Sequence, residues 1–135
     1  MLPIKGTSLS AAFDLYAADP CVIPAGSRGL VDTGLRLAEC PHDVYLRIAP
    51  RSGLAVNGYD VGAGVVDSDY RGSVKVLFIN TTSSDYEVQS GDRIAQMIPE
   101  RIRMDLTCVI NGEENTTSQE YIRAERGDEG FGSTH

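Results

Sequence analysis

Residues 59–76 read YDVGAGVVDSDYRGSVKV, and the reading of the whole chain turns on them. Two β-rich arms, Val61-Gly62-Ala63-Gly64-Val65-Val66 and Gly72-Ser73-Val74-Lys75-Val76, flank Asp67-Ser68-Asp69-Tyr70-Arg71. Apolar, β-branched runs broken by an Asp/Ser/Asp/Gly cluster predict a hairpin. Gly62 and Gly64 carry no Cβ, so another molecule can approach that backbone closely. A carboxylate, an aromatic ring three residues on and bare backbone together suit a pocket for a flat polar ligand. A hairpin with a solvated turn explains the same residues, and the rest of the chain has to choose between them.

At 135 residues the chain is long enough for one domain around one core. Fourteen Gly, six Pro and short runs rich in Val, Ile, Thr and Tyr point to an all-β barrel or sandwich. A net charge of −7 argues against a general nucleic-acid surface, which needs clustered cations. Lys5 and Lys75 are the only lysines among 12 Lys and Arg residues. Arginine suits bidentate contacts to phosphate or carboxylate, so a local Arg cluster could hold a small anion on an otherwise acidic protein. Cys21, Cys40 and Cys108 are odd in number and widely spaced, which disfavours a disulfide framework or a zinc site and fits a reducing compartment. His42 and His135 are too few for His-based metal sites or a Ser-His-Asp triad. The start, MLPIKGTSLS, shows no signal-peptide core, and no apolar run approaches membrane length. The expectation is an intracellular, cytoplasmic or nuclear protein, cellular or virus-encoded, with no nucleic-acid or membrane partner.

Along the chain, Phe13-Asp14-Leu15-Tyr16 reads as a strand with Asp14 on one face and Phe13 and Leu15 on the other; Asp14 also suits a turn or cap. Leu30 to Leu37, with Gly34 inside, reads as a strand with a bulge or bend. Val44 to Ala49 alternates, placing Val44, Leu46 and Ile48 inward, and Pro50 ends it. Next, Leu54 to Val56 suits one helical turn with Ser52 as N-cap and Gly58 past its end. Such a start offers unpaired N–H groups, so Arg51, Ser52 and Gly53 form either an anion cradle or an ordinary capped turn. Ser73 to Asn80 is apolar on both faces and reads as a central strand. Gly91 to Ile98 is a turn and strand with Arg93, Ala95 and Met97 on one side and Ile94, Gln96 and Ile98 on the other. Gln96 among apolar neighbours must bond to backbone or to a ligand. Arg101 to Ile110 alternates once more.

From Asn111 onward the chain is polar, acidic and Gly-rich, which predicts a mobile arm over 111–135 after a β-domain over 1–110. The arm ends in Arg126-Gly127-Asp128-Glu129-Gly130-Phe131-Gly132-Ser133-Thr134. Glycine backbone beside Ser/Thr can wrap phosphate oxygens, and a single ring can stack on a base. A disordered tail with one stray Phe is the plainer reading.

Five such signals occur in a telling order. FDLYAA, APRSGLA, VGAGVVDSDYRG, GDRIAQMI and RGDEGFGST resemble, in sequence, the five signature motifs of the trimeric deoxyuridine triphosphatases (dUTPases), across residues 11–134. The resemblance implies a distorted jelly-roll β-barrel with one short helix and a flexible C-terminal arm. It also implies a homotrimer with active sites shared between subunits. The implied reaction is Mg²⁺-dependent hydrolysis of dUTP to dUMP and pyrophosphate, which limits uracil in DNA and supplies dUMP for thymidylate synthesis. By position, Asp67 resembles the carboxylate that deprotonates the attacking water, and Tyr70 the ring that excludes a 2′-hydroxyl. The backbone around Gly64 and Val66 would read the uracil edge; Arg51, Ser52, Gly53 and Gln96 would bind phosphate oxygens. Asp14 would hold Mg²⁺ through water. Arg126, Gly132, Ser133 and Thr134 would close on the γ-phosphate, with Phe131 over the uracil. The chain departs from the family pattern at Ala12 and Glu129, both glycine in the usual motif, and it is longer than usual between Gln96 and Arg126, with the extra residues expected around 111–119. Two alternatives accompany this reading: a dCTP deaminase of the same superfamily, and a silent homologue acting as a binding or signalling module.

Overall fold

The computed structural model describes residues 1–111 and 113–116. Within them the chain is almost entirely β, with one helix. The largest sheet has five strands in the order β1 (Ile4–Lys5), β2 (Phe13–Tyr16), β10 (Arg93–Arg101), β5 (Val44–Ala49) and β7 (Val65–Val66). A three-stranded sheet orders β4 (Arg28–Asp32), β8 (Lys75–Asn80) and β6 (Tyr59–Gly62). Two strand pairs complete the set: β3 (Cys21–Ile23) with β9 (Tyr86–Val88), and β11 (Thr107–Ile110) with β12 (Glu113–Thr116). Every pairing is antiparallel. The strands are therefore divided among open sheets rather than wound into one closed ring.

The alternation of β5 explains its place. Leu46 and Ile48 are both buried while Arg47 between them is exposed. They meet Leu15, Ile23, Val31, Val76, Phe78, Val88 and Ile94 in one core, with Tyr59 and Tyr86 packed at its margin. The rings of Tyr59, Phe78 and Tyr86 lie 4.5 to 5.7 Å apart, centroid to centroid, in a single aromatic group. Strand β8 is central, as its apolar run requires, and the one polar side chain it buries is spent internally. Asn80 Nδ2 donates to the carbonyls of Ile23 (3.1 Å) and Ser84 (2.8 Å), and its Oδ1 accepts from the Thr82 amide (2.9 Å) and hydroxyl (2.7 Å). Pro99 is tolerated in β10 because β2 pairs only as far as Met97, so the N–H that proline lacks has no strand to serve.

The strand assignments depart from the sequence reading in four places. The strand expected over Leu30 to Leu37 ends at Asp32, and the chain turns at Gly34 with φ 71°. The first arm of the expected hairpin divides between sheets, while the second runs into β8. Strand β6 pairs with β8 (Gly62 opposite Leu77), whereas β7 crosses to pair with β5 (Val66 opposite Leu46). The crossing is made by Ala63 and Gly64, with φ of 55° and 91°. The alternating run over Arg101 to Ile110 is strand only to Arg101 and again from Thr107, and β11 is exposed along its whole length. Finally, Glu113–Thr116 pairs antiparallel with Thr107–Ile110, with Asn111 at φ 53°. The expected boundary at residue 110 falls inside this strand pair. No helix among the described residues is long and apolar enough to cross a membrane.

Candidate active site

Asp14 lies in β2 directly opposite Gln96 of β10, and Gln96 lies opposite Ala49, the last residue of β5. One residue past Ala49 the Pro50 carbonyl accepts a hydrogen bond of 2.9 Å from Gln96 Nε2. That bond answers the polar demand of Gln96 and fixes where the chain leaves the sheet. Arg51 follows at once, and its Nε stands 3.3 Å from Asp14 Oδ1. Arg93 Nη1 stands 3.5 Å from the other oxygen, Oδ2. The Asp14 side chain is 17% exposed, against 32% for Arg51 and 53% for Arg93, so the carboxylate forms the floor and the guanidinium groups the rim. Two cations share one anion here, leaving a surplus positive charge and planar N–H forks suited to phosphate oxygens.

Arg93 is a correction to the sequence reading, which set it on the side opposite Gln96. Between Arg93 and Ala95 the register of β10 against β2 shifts by a bulge: Arg93 is opposite Tyr16 and Ala95 opposite Leu15. The extra residue turns Arg93 onto the face shared by Asp14 and Gln96. The signal was present in the adjacent pair Ile94-Ala95, both fully buried, which strict alternation does not allow.

The helix α1 (Ser52–Val56) starts beside this cluster. Its N-cap is Arg51, with φ −80° and ψ 140°, and no side chain caps it. The expected Ser52 cap is therefore corrected: the Arg51 carbonyl already accepts the Ala55 N–H at 2.9 Å, so Ser52 is the first helical residue. Ser52 and Gly53 are both exposed, and a Cβ added at Gly53 would meet nothing within 4 Å. Gly58 lies past the helix end with φ 96°, as expected. The first-turn N–H groups and the Arg51 and Arg93 guanidiniums are donors of the kind that suits an anion.

The second group of candidates sits at the far edge of the same sheet. The Gly64 carbonyl accepts the Ile48 N–H at 2.8 Å, and a Cβ at Gly64 would lie 2.7 Å from the Ile48 carbonyl oxygen. Only glycine fits both that contact and its φ, so the space expected to admit another molecule at Gly64 is instead taken by the packing of β7 on β5. Val66 is buried, Asp67 follows it, and the Tyr70 N–H closes a turn on the Asp67 carbonyl at 3.1 Å. The Tyr70 ring packs against the core, and its hydroxyl donates to the Ser73 carbonyl at 2.8 Å. Arg71 folds back over the turn, its Nη1 donating to the carbonyls of Ser68 (2.7 Å) and Tyr70 (3.0 Å).

The structure thus brings together Asp14, Arg51, Ser52, Gly53, Gln96 and the unanticipated Arg93, and separately Gly64, Val66, Asp67 and Tyr70. Strand β7 is three places from β2 in the sheet, a spacing of roughly 14 Å. Arg126, Phe131, Gly132, Ser133 and Thr134 lie outside the described residues.

A family model described as dUTPase matches residues 1–135. A deoxyuridine 5′-triphosphate nucleotidohydrolase of Yarrowia lipolytica is 50% identical over 133 residues, covering 98% of this chain and 80% of its own length. One from fowlpox virus is 49% identical over 134 residues, with 98% and 88% covered. Among solved structures, a Staphylococcus bacteriophage 80alpha dUTPase variant with dUpNHpp superimposes with a TM-score of 0.74 at 18% identity, covering 99% of this chain and 91% of its own. A variant dUTPase from phage phi11 of S. aureus, described as revealing the coordination of a structural Mg(II) ion, gives 0.74 at 15% identity, with 85% and 92% covered.

Proposed function

The chain belongs to the dUTPase family, and on that premise we propose how its residues carry out the hydrolysis of dUTP to dUMP and pyrophosphate. The observation that supports the scheme is the cationic cluster at Asp14, with Arg51 and Arg93 on its two carboxylate oxygens, on a sheet whose other edge leads through β7 into the Asp67 turn. The cluster takes the phosphates. Arg51, Ser52, Gly53 and Gln96 bind their oxygens, and Arg93 joins them. The edge takes the nucleoside: the backbone of Gly64 and Val66 meets the uracil O4 and N3–H, a pattern that the N4 donors of cytosine cannot match. A site that requires a hydrogen bond rejects the wrong partner far better than an apolar pocket does. Tyr70 lies along the deoxyribose and leaves no room for a 2′-hydroxyl. Asp67 takes the proton of the water that attacks the α-phosphorus in line with the departing pyrophosphate.

The donor set around Asp14 suits a sparsely liganded Mg²⁺. Among the described residues there is no group of three His, Cys, Asp or Glu side chains that could cage a metal, and both Asp14 oxygens already face guanidiniums. Such a set fits an ion held chiefly by the triphosphate and its own waters, with Asp14 touching it through water. When bound, Mg²⁺ supplies charge neutralisation and a fixed triphosphate geometry. Arg51 and Arg93, at the rim of Asp14, would offer N–H groups to the phosphates.

The two groups of residues meet best when copies of the chain face one another, and a homotrimer with shared sites provides that. Exposed apolar side chains support assembly: Ile4, Leu9, Val56 and Val65 are all 57% exposed or more in the single chain. The terminal segment would close the site of a neighbouring copy, Phe131 over the base and Arg126, Gly132, Ser133 and Thr134 around the γ-phosphate, which keeps the division into a β-domain and a C-terminal arm. The deaminase alternative finds no support. Strand β8 ends Phe78-Ile79-Asn80, without the glutamate a proton shuttle requires, and the Asn80 amide is fully occupied by backbone and Thr82. Pyrophosphate release measured with dUTP, dCTP, dTTP and UTP, with and without Mg²⁺, tests the scheme. It expects strong release from dUTP with Mg²⁺ alone; comparable rates with dCTP or UTP would overturn it.

A further inference from the structure

Resting on the reading that Tyr70 lies along the sugar, we infer that Asp32 is a positioning residue for sugar discrimination. It acts by anchoring Ser73, whose carbonyl fixes the Tyr70 ring. Asp32 ends β4, far in sequence from the turn it serves. Its Oδ1 accepts short hydrogen bonds from the Ser73 hydroxyl and, at 2.8 Å, from the Gly34 N–H. Those two donors hold its carboxyl below the ordinary carboxylate range, and Lys75 and Arg36 add to the effect. It is therefore ionised, and a strong acceptor, at neutral pH.

The residues after Asp32 grip the same short segment. Thr33 donates to the Val74 carbonyl twice, from its N–H (3.1 Å) and from its buried hydroxyl (2.6 Å). The Leu35 carbonyl accepts the Val74 N–H at 2.8 Å. Arg36 Nη1 donates to the Arg71 carbonyl at 3.0 Å. Segment 32–36 thus binds residues 71, 73 and 74, and the Tyr70 hydroxyl donates at 2.8 Å into the middle of that clamped stretch. A ring excludes a hydroxyl only if it cannot yield. Tyr70 is held at the backbone by the turn to Asp67 and at its distal oxygen by Ser73, so swinging it aside requires breaking the Ser73 anchor. Side chains that act through another group in this way show in selectivity before they show in rate.

The test compares kcat/KM for dUTP with that for UTP, alongside thermal midpoints, in D32A, S73A, the double variant and Y70A. D32A is expected to lower the dUTP/UTP preference about tenfold or more, with D32N recovering part of the loss because its amide oxygen still accepts. S73A removes the same hydrogen bond from the other side and should reproduce the effect, and the double variant should be no worse than either single one. Should D32A fail to fold, S73A alone carries the test. A preference unchanged within twofold in folded D32A or S73A, whatever the midpoint does, overturns the inference. If instead Y70A leaves the preference unchanged, the sugar-facing role of Tyr70 is wrong and the inference falls with it. A change in Y70A without one in D32A and S73A overturns the positioning role alone.

Discussion

Asp67→Asn is expected to reduce turnover of dUTP by about 10²–10⁴-fold, the range that positioned general bases contribute, while nucleotide binding and assembly persist. The substitution keeps the shape of the side chain and removes its ability to take a proton. The turn that carries it is held by main chain and by Arg71: the Tyr70 N–H to the Asp67 carbonyl, and Nη1 of Arg71 to the carbonyls of Ser68 and Tyr70. None of these bonds needs the carboxylate. Loss of activity with retained binding of a non-hydrolysable dUTP analogue is the expected pattern, read by calorimetry and pyrophosphate release. Near-normal release would remove Asp67 from the chemistry.

Gly64→Ala is expected to damage both stability and recognition. The residue has φ 91°, and the new methyl would stand 2.7 Å from the Ile48 carbonyl oxygen. That oxygen belongs to a backbone that also donates its N–H to the Gly64 carbonyl, so it cannot recede without opening the junction between β5 and β7. Strain and a weakened hydrogen bond together cost roughly 3 kcal/mol. For a chain of this size the thermal midpoint should fall by about 10 °C. The displaced backbone is the surface proposed to read uracil, so the surviving folded protein should discriminate dUTP from dCTP poorly. An unchanged midpoint with unchanged discrimination would show that the crossing tolerates a side chain and does not shape the base pocket.

These two positions also mark how far the sequence could be read. Period-two alternation was sufficient for β5, where Arg47 faces out between Leu46 and Ile48, and a run apolar on both faces was sufficient for β8 at the centre of its sheet. It failed where the backbone breaks period. The bulge at Ile94 turns Arg93 onto the face of Asp14 and Gln96, and no count of alternate residues places it there. Gly62 and Gly64 suggest open backbone, yet a Cβ at either would meet this chain's own atoms, Leu77 Cδ2 at 2.9 Å and the Ile48 carbonyl oxygen at 2.7 Å. The first arm of the expected hairpin changes sheets at Ala63-Gly64, because local turn chemistry does not specify which strand Val65-Val66 will meet. The helix start shifted by one residue since a cap is decided by backbone geometry at Arg51 rather than by the presence of Ser52. Asn111-Gly112 is a strong hairpin dipeptide, yet polar composition masked it, and Glu113–Thr116 pairs with β11. The clamp of Asp32 on Ser73 spans 41 residues and left no local trace.

The central claim is that one sheet presents a phosphate-binding cluster and, at its other edge, a nucleoside-reading turn whose acid activates water. The most direct measurement is a crystal structure of the protein with Mg²⁺ and a non-hydrolysable dUTP analogue. The account predicts the Asp67 carboxylate within hydrogen-bond reach of a water in line with the α-phosphorus, uracil on the Gly64–Val66 backbone, and Arg51 and Gln96 of a neighbouring subunit on the phosphates. Asp67 remote from the phosphorus, or a monomer binding the nucleotide elsewhere, would contradict it.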